Sequence, residues 1–311
     1  MERSFSQQTS ADRVLTTTKA TWRDYIEITK PGINKSNLFA AFTGYWLATG
    51  FTELDFLNLL MMLLGSALVI AGGCTLNNYI DRDIDPKMER THERAIVQGR
   101  IKPNVALWYG IILTILGVLT LSAINLLTAV LGMFGFVVYV FIYTIWLKRT
   151  STHNTLIGSF SGAVPPLIGW AAATGELSLS AWALFLILFL WQPPHFFAIA
   201  MRKVDDYRAA GIPMLPVVKG FHVTKVQTLI YTILLVPSSF ILYVDGASSW
   251  FYLVIAAILG LIYIVLAIKG FFAKDEAKWV NQMFFYSLIY LTVILLAVIV
   301  DKTIVDLLNI Y

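Results

Sequence analysis

The chain has 311 residues, 58% of them hydrophobic and only 14% charged, with a net charge of +4. A soluble domain is about half apolar, so this composition excludes a large water-soluble globule and points to the membrane class. So small a positive balance is no nucleic-acid footprint, and the single Cys74 excludes an internal disulfide or a thiolate metal cluster.

Residues 1–30 are polar and carry no apolar core of a signal peptide. They are expected to form a cytoplasmic N-terminal segment. Apolar runs then recur at 33–50, 56–78, 104–122, 127–147, 155–174, 180–201, 226–244, 250–270 and 281–300. Each approaches the length of about 20 residues that an α-helix needs to cross hydrocarbon. The alternating segments of about ten residues that mark a β-barrel are missing. The expected fold is all-α, a polytopic membrane bundle of nine transmembrane helices over 31–303, with a short extracytoplasmic tail at 304–311.

The loops alternate in charge. Connections after spans 1, 3, 5 and 7 carry no Lys or Arg, and of 23 basic residues only Lys302 falls on that side. The positive-inside rule places the N-terminus and the even-numbered loops in the cytoplasm and the C-terminus outside, in the cell membrane.

The loop after span 2 is unusual. "CTLNNYIDRDIDPKMERTHER" sets Asn77, Asp81, Asp85 and Glu89 four residues apart, and five of the 19 acidic residues lie between Asp81 and Glu93. Positions four apart on a helix drift by only about 40°. If the helix of span 2 continues, Asn77, Asp81 and Asp85 share one face. Asp205 and Asp206 end span 6, four spans later and so on the same side. Spans 1–4 and 5–8 can therefore be two similar halves, each exposing an acidic helix end, or one unrepeated bundle. Carboxylates converging this way suit Mg²⁺, which is held by one or two of them together with water and substrate phosphates. Arg82, Arg90, Arg94, Arg100 and Lys102 follow the first cluster, Lys148 and Arg149 end span 4, and Arg202, Lys203 and Arg208 flank the second. Cations so placed fit a diphosphate. The competing reading is a solvated loop with ordinary i,i+4 ion pairs. Position at the membrane boundary favours a site.

Among the histidines, His92 and His222 sit in loops, and His153, a candidate haem contact, lies beyond Lys148 at the boundary. His195 falls inside span 6, where it needs a partner: a neighbouring helix, or a haem through its iron or a propionate. Pro165–Pro166 and Pro193–Pro194 interrupt spans 5 and 6 and would kink both.

"NNYIDRDID" with "ERTHER" resembles the NxxxDxxxD(x4)RTxxR pattern of the UbiA superfamily of intramembrane prenyltransferases. "KPGI", "YTIWLKRTSTHNTLIGSFSGAVPPLIGW" and "WQPPHFFAIAMRKVDDYRAAGIPMLPVVKG" resemble its protohaem IX farnesyltransferase, or haem O synthase, branch. The resemblance implies that farnesyl diphosphate alkylates a vinyl group of haem B with Mg²⁺ help, and that water completes haem O. It implies metal and diphosphate roles for Asn77, Asp81, Asp85, Lys148, Arg90 and Arg94. The second motif departs: Lys203 and Tyr207 stand where quinone-type enzymes carry carboxylates, leaving Asp205 and Asp206 as the acids available. Lys148 lies one residue further from Tyr143 than in those enzymes, and Ala95 replaces a proline. A downstream haem A synthase or oxidase assembly is the implied partner. The alternatives are prenyl transfer to a quinone precursor or another tetrapyrrole, and a transporter, whose ionisable groups would sit nearer the midplane.

Overall fold

The computed structural model describes residues 19–308. Most of the expected N-terminal segment, 1–18, and the end of the tail, 309–311, lie outside the described residues. Among the described residues there is no strand, and eight helical segments are long and apolar enough to cross a membrane. The first expected span is helix α2, Pro31–Thr49, of 19 residues. It is less apolar because Asn34, Lys35, Ser36 and Asn37 crowd its start. The chain is thus a multi-pass helical membrane protein.

A short helix α1, Trp22–Glu27, precedes α2 and is opened by a capping box between Thr21 and Asp24. Helix α3 spans Phe56–Ile80, α4 Pro103–Ser122 and α5 Leu126–Val137. A π-helical stretch at Val138–Leu147 continues α5 and ends in the one-turn α6, Lys148–Thr150. Span 5 is split: α7 covers Asn154–Ala163 and α8 covers Pro165–Thr174. Helix α9 runs Leu179–Arg202 and is followed by the short α10, Val204–Ala209. The last three are α11, Leu215–Val244, α12, Trp250–Lys269, and α13, Glu276–Leu308.

Helix starts on the two sides differ chemically. On the expected outer side Asp55, Asn125, Ser178 and Ser249 accept hydrogen bonds from first-turn amides, the usual N-cap device. On the side expected to face the cytoplasm α2, α4 and α11 carry proline in their first two positions, where no amide bond is lost.

Two sequence expectations change. The two proline pairs behave differently: Pro165 opens a new helix after Val164, whereas Pro193 and Pro194 lie within a continuous α9. Span 7 begins earlier than 226, because only Gly220, at φ 75°, interrupts the helix. Lys302, the lone cation on the expected outer side, is neutralised by Asp306 at 2.8 Å, and that carboxylate also accepts from the Phe51 amide at 3.0 Å.

Helices α3 and α9, spans 2 and 6, are the most enclosed: 61% and 72% of their spanning windows are buried, against 28% for α12. Both are followed by acidic residues, Asp81 after α3 and Asp205–Asp206 after α9, on the side expected to face the cytoplasm. Glycine lets their neighbours approach closely. A Cβ on Gly72 of α3 would meet Gly110 O of α4 at 2.7 Å, and one on Gly169 of α8 would meet Ala41 O of α2 at 1.9 Å. Such contacts replace the hydrophobic drive that lipid cannot supply. Ile258, Leu261 and Val265 of α12 remain exposed, as a lipid-facing surface requires.

Candidate active site

Helix α3 ends at Ile80 and does not carry the acidic row onward. Asp81–Asp83 and Asp85–Lys87 form two 3-10 turns instead. Pro86, in the second turn, keeps the chain from resuming the helix there: its ring disfavours helical geometry at Asp85 and it has no amide to continue the ladder. The expectation of one continuous helical face over Asn77, Asp81 and Asp85 is therefore corrected. Asp85 reaches the site from a tight turn, fastened by Thr91 Oγ1 donating to Asp85 O at 2.8 Å.

Asp81 and Asp85 are 0% and 1% exposed. Asn77 Nδ2 donates to Asp81 Oδ2 at 2.8 Å and to Thr144 Oγ1 at 3.1 Å. Lys148 Nζ also donates to Asp81 Oδ2. Arg149 stands 3.7 Å from Asp81 Oδ1 and holds Asp83 through two 2.7 Å bonds. Arg94 NH1 donates to Asp85 Oδ2 at 2.6 Å. Burial pushes the Asp85 carboxyl above its ordinary range, and the negative charge of Asp81 adds to this, while Arg94 and Lys148 oppose it.

The π-helical stretch explains how Lys148 arrives. A π-turn bonds residue i to i+5. Here the Lys148 amide donates to Tyr143 O, and Thr144 Oγ1 donates to Tyr139 O at 2.8 Å. Through this wider turn Thr144 and Lys148 both face α3, where they meet Asn77 and Asp81.

The second acidic end meets the first through an apolar floor. Ile84 and Met88 pack with Ala200, Tyr207, Ile212 and Met214. Arg90 NH2 donates to the Tyr207 hydroxyl at 2.9 Å and lies over its ring at 4.8 Å. Of the second pair, Asp206 is half-buried, 4.0 Å from Lys203, with one sealed oxygen lacking a partner. Asp205 faces out, 87% exposed, and pairs with Arg208. Arg82 folds back over Tyr79 at 4.3 Å. Arg202 lies 4.4 Å over Phe284, and His153 is exposed at the start of α7. His195 is buried and bonded to Ser287.

Sequence reasoning passed over Lys30. It holds the only positive φ of a described non-glycine residue, 53°, at the N-cap of α2, and its Nζ donates to Asn77 Oδ1. Burial pulls its ammonium down to about 8, with the cations Arg94 and Lys148 acting in the same direction. The signal was the lysine immediately before Pro31. Asn78 Nδ2, donating to Ile28 O at 2.7 Å, ties this segment to α3.

Among the described residues no three His, Cys, Asp or Glu side chains gather into a metal cluster. The site nonetheless fits Mg²⁺. Asp81 Oδ1 and Asp85 Oδ1 are sealed from solvent and lack a hydrogen-bond partner, with Arg149 3.7 Å from the first, and two carboxylates are a sufficient protein share for an ion that also takes phosphate oxygens.

A UbiA prenyltransferase family model matches residues 37–289. A protoheme IX farnesyltransferase of Alkalihalophilus pseudofirmus is 51% identical over 283 residues, 90% of each chain. Protoheme IX farnesyltransferase 2 of Bacillus subtilis is 47% identical over 90% of this chain and 92% of its own. A solved digeranylgeranylglyceryl phosphate synthase superposes with a TM-score of 0.78 at 20% identity, over 90% of this chain and 98% of that one. A UbiA homolog from Archaeoglobus fulgidus bound to DMAPP and Mg²⁺ gives 0.69 at 16% identity, over 89% and 99%. Buried paired carboxylates, the cations around them, the helical bundle and the span of these matches agree: the chain belongs to the UbiA prenyltransferase family.

Proposed function

We propose that this chain transfers the farnesyl group of farnesyl diphosphate to a vinyl group of haem B and adds water, giving haem O and diphosphate. The observation that carries this reading is the pair of buried carboxylates, Asp81 and Asp85, each keeping one oxygen without a hydrogen bond inside a ring of Lys148, Arg149, Arg94 and Lys30. High identity to protoheme IX farnesyltransferases over nine-tenths of the chain supports the choice of acceptor.

The C–O bond of the allylic diphosphate breaks and the electron pair leaves with diphosphate. The vinyl double bond attacks the farnesyl cation, forming the new C–C bond. Water captures the cation left beside the macrocycle and one proton departs. Asn77, Asp81 and Asp85 would hold Mg²⁺, and the half-buried Asp206 contributes from the second end. When bound, Mg²⁺ would supply positive charge to the departing diphosphate. Lys148, Arg94 and Arg90 bind and orient that diphosphate, in a low-dielectric site where such contacts are strong. The loop charges support a cell-membrane orientation with the N-terminus in the cytoplasm and the C-terminus outside. The product is then available to a haem-modifying or oxidase-assembly partner in the same membrane.

The test is direct. Full-length protein in detergent receives haem B, farnesyl diphosphate and Mg²⁺, and haem is followed by reverse-phase chromatography and mass. A heavier, more hydrophobic haem is expected, abolished by EDTA and restored by Mg²⁺. Farnesyl transfer to a quinone precursor alone would overturn the acceptor, and no diphosphate release with any acceptor would overturn the enzyme.

Position separates the cations. Arg208 and Asp205 form an exposed pair, worth about 0–1 kcal/mol. Arg208→Ala is expected to leave KM for farnesyl diphosphate within about threefold, in line with the small effects of surface changes. Arg94→Ala, which strips a charge-assisted bond worth about 1.5–3 kcal/mol, is expected to raise KM or lower kcat by at least tenfold. Equal effects in steady-state kinetics would sink this division of roles.

A further inference from the structure

The hydrogen bonds around His195 fix where its proton sits. Ser287 Oγ donates its one hydrogen to Phe284 O at 2.6 Å. Toward His195 Nδ1, 2.7 Å away, the same hydroxyl can only accept. Nδ1 therefore carries the ring hydrogen, an assignment made from the network. Nε2 keeps a lone pair and has no hydrogen-bond partner among the described residues. The ring is also held in place. It stacks on Trp191 with centroids 4.8 Å apart and on Phe284 at 5.4 Å. Trp191 is in turn fixed by its Nε1 donating to Ser287 O at 2.7 Å.

Among the described residues no charged side chain is in contact with this imidazole. Its neighbours are Trp191, Phe196, Phe284 and Ser287. An imidazolium formed by proton capture would have no counter-charge in an apolar bundle, whereas a metal bond leaves the ring neutral. A histidine that donates Nδ1–H to an oxygen and presents Nε2 is arranged as metal-holding histidines are. Arg202 lies seven residues further along α9, about 10 Å towards the cytoplasm. Its guanidinium covers the same Phe284 ring at 4.4 Å. One helix face thus offers a neutral nitrogen ligand in an aromatic setting and, two turns away at the water boundary, a cation. A porphyrin needs this polarity, with iron in an apolar macrocycle and carboxylates at one edge.

We propose that His195 Nε2 is an axial ligand to the iron of the haem acceptor and that Arg202 receives a propionate. This rests on the acceptor assigned above. Ser287 is a positioning residue, acting through the tautomer it fixes.

The experiment titrates full-length protein in detergent with ferric haem B and records optical and electron paramagnetic resonance spectra, with farnesyl transfer assayed separately. Wild type should show nitrogen axial ligation. His195→Ala should lose it and regain it on adding imidazole, while still binding farnesyl diphosphate. His195→Gln, of similar shape and polarity, should behave the same way and keeps the test readable if the alanine variant misfolds. Ser287→Ala should weaken haem affinity about 10–100-fold, as loss of a partner to a metal-bound histidine does. Arg202→Gln should weaken haem but not a porphyrin lacking propionates. If His195→Ala binds haem with wild-type spectrum and affinity, or if wild type farnesylates haem without a nitrogen-ligated spectrum, the inference falls and the proposed activity stands. A wild type that neither binds nor farnesylates haem removes both.

Discussion

Asp81→Asn is expected to lower farnesyl transfer by about 10²–10³-fold, the scale of losing one preorganised electrostatic contact to a leaving group. Asp81 is fully buried and sits at the junction of Asn77, Lys148 and Arg149. The amide preserves size and can still accept hydrogen bonds, but it removes the charge that would hold Mg²⁺. Asp81→Ala adds a stability penalty of about 3–5 kcal/mol, because Lys148 is left buried without its counter-charge. Adding Lys148→Met should recover part of that stability and none of the activity. A double-mutant cycle on thermal unfolding and turnover separates the two effects. Should Asp81→Asn stay within tenfold of wild type, the carboxylate has no part in the chemistry.

Gly169→Ala is expected to destabilise the protein by about 3 kcal/mol or more, at the upper end of what overpacking costs. Its new Cβ would lie 1.9 Å from Ala41 O and 2.7 Å from Tyr45 N. Both are helix backbone atoms, which cannot turn aside as a side chain can. Helices α2 and α8 would have to separate. Since α2 begins just after Lys30, the separation would also draw Lys30 from Asn77, so surviving protein should lose turnover. Gly32→Ala, on the partner helix α2, is the control. Nothing lies within 4 Å of its added Cβ, and a helical Gly→Ala exchange gains about 0.4–1 kcal/mol. Equal thermal midpoints for the two variants would refute the close-packing account.

The sequence carried the class of fold and one half of the site. Apolar runs long enough to cross hydrocarbon can be read residue by residue, because lipid forces every backbone group into helix. The expected orientation rests on loop charges, which are read just as locally. Asn77, Asp81, Asp85, Arg90 and Arg94 lie within one short stretch, so spacing alone brought them forward. Spacing also misled: four-residue intervals predicted one helical face, whereas the chain forms 3-10 turns, the second holding Pro86, that deliver Asp85 differently.

Tertiary structure decided the remainder. Lys30 joins the site from 47 residues away in sequence and Lys148 from 67. The π-helical turn that aims Lys148 depends on packing that no local pattern displays. At the second acidic end, Asp205 and Asp206 are neighbours in sequence, yet one is exposed and the other keeps a sealed oxygen. That difference follows from the packing of α10 against the loop carrying Ile84 and Met88. The proton on His195 is fixed by a serine 92 residues further along the chain. Residue type states which groups can ligate, pair or donate. Only the close approach of distant helices, permitted by glycine and enforced by burial, selects the atoms that do.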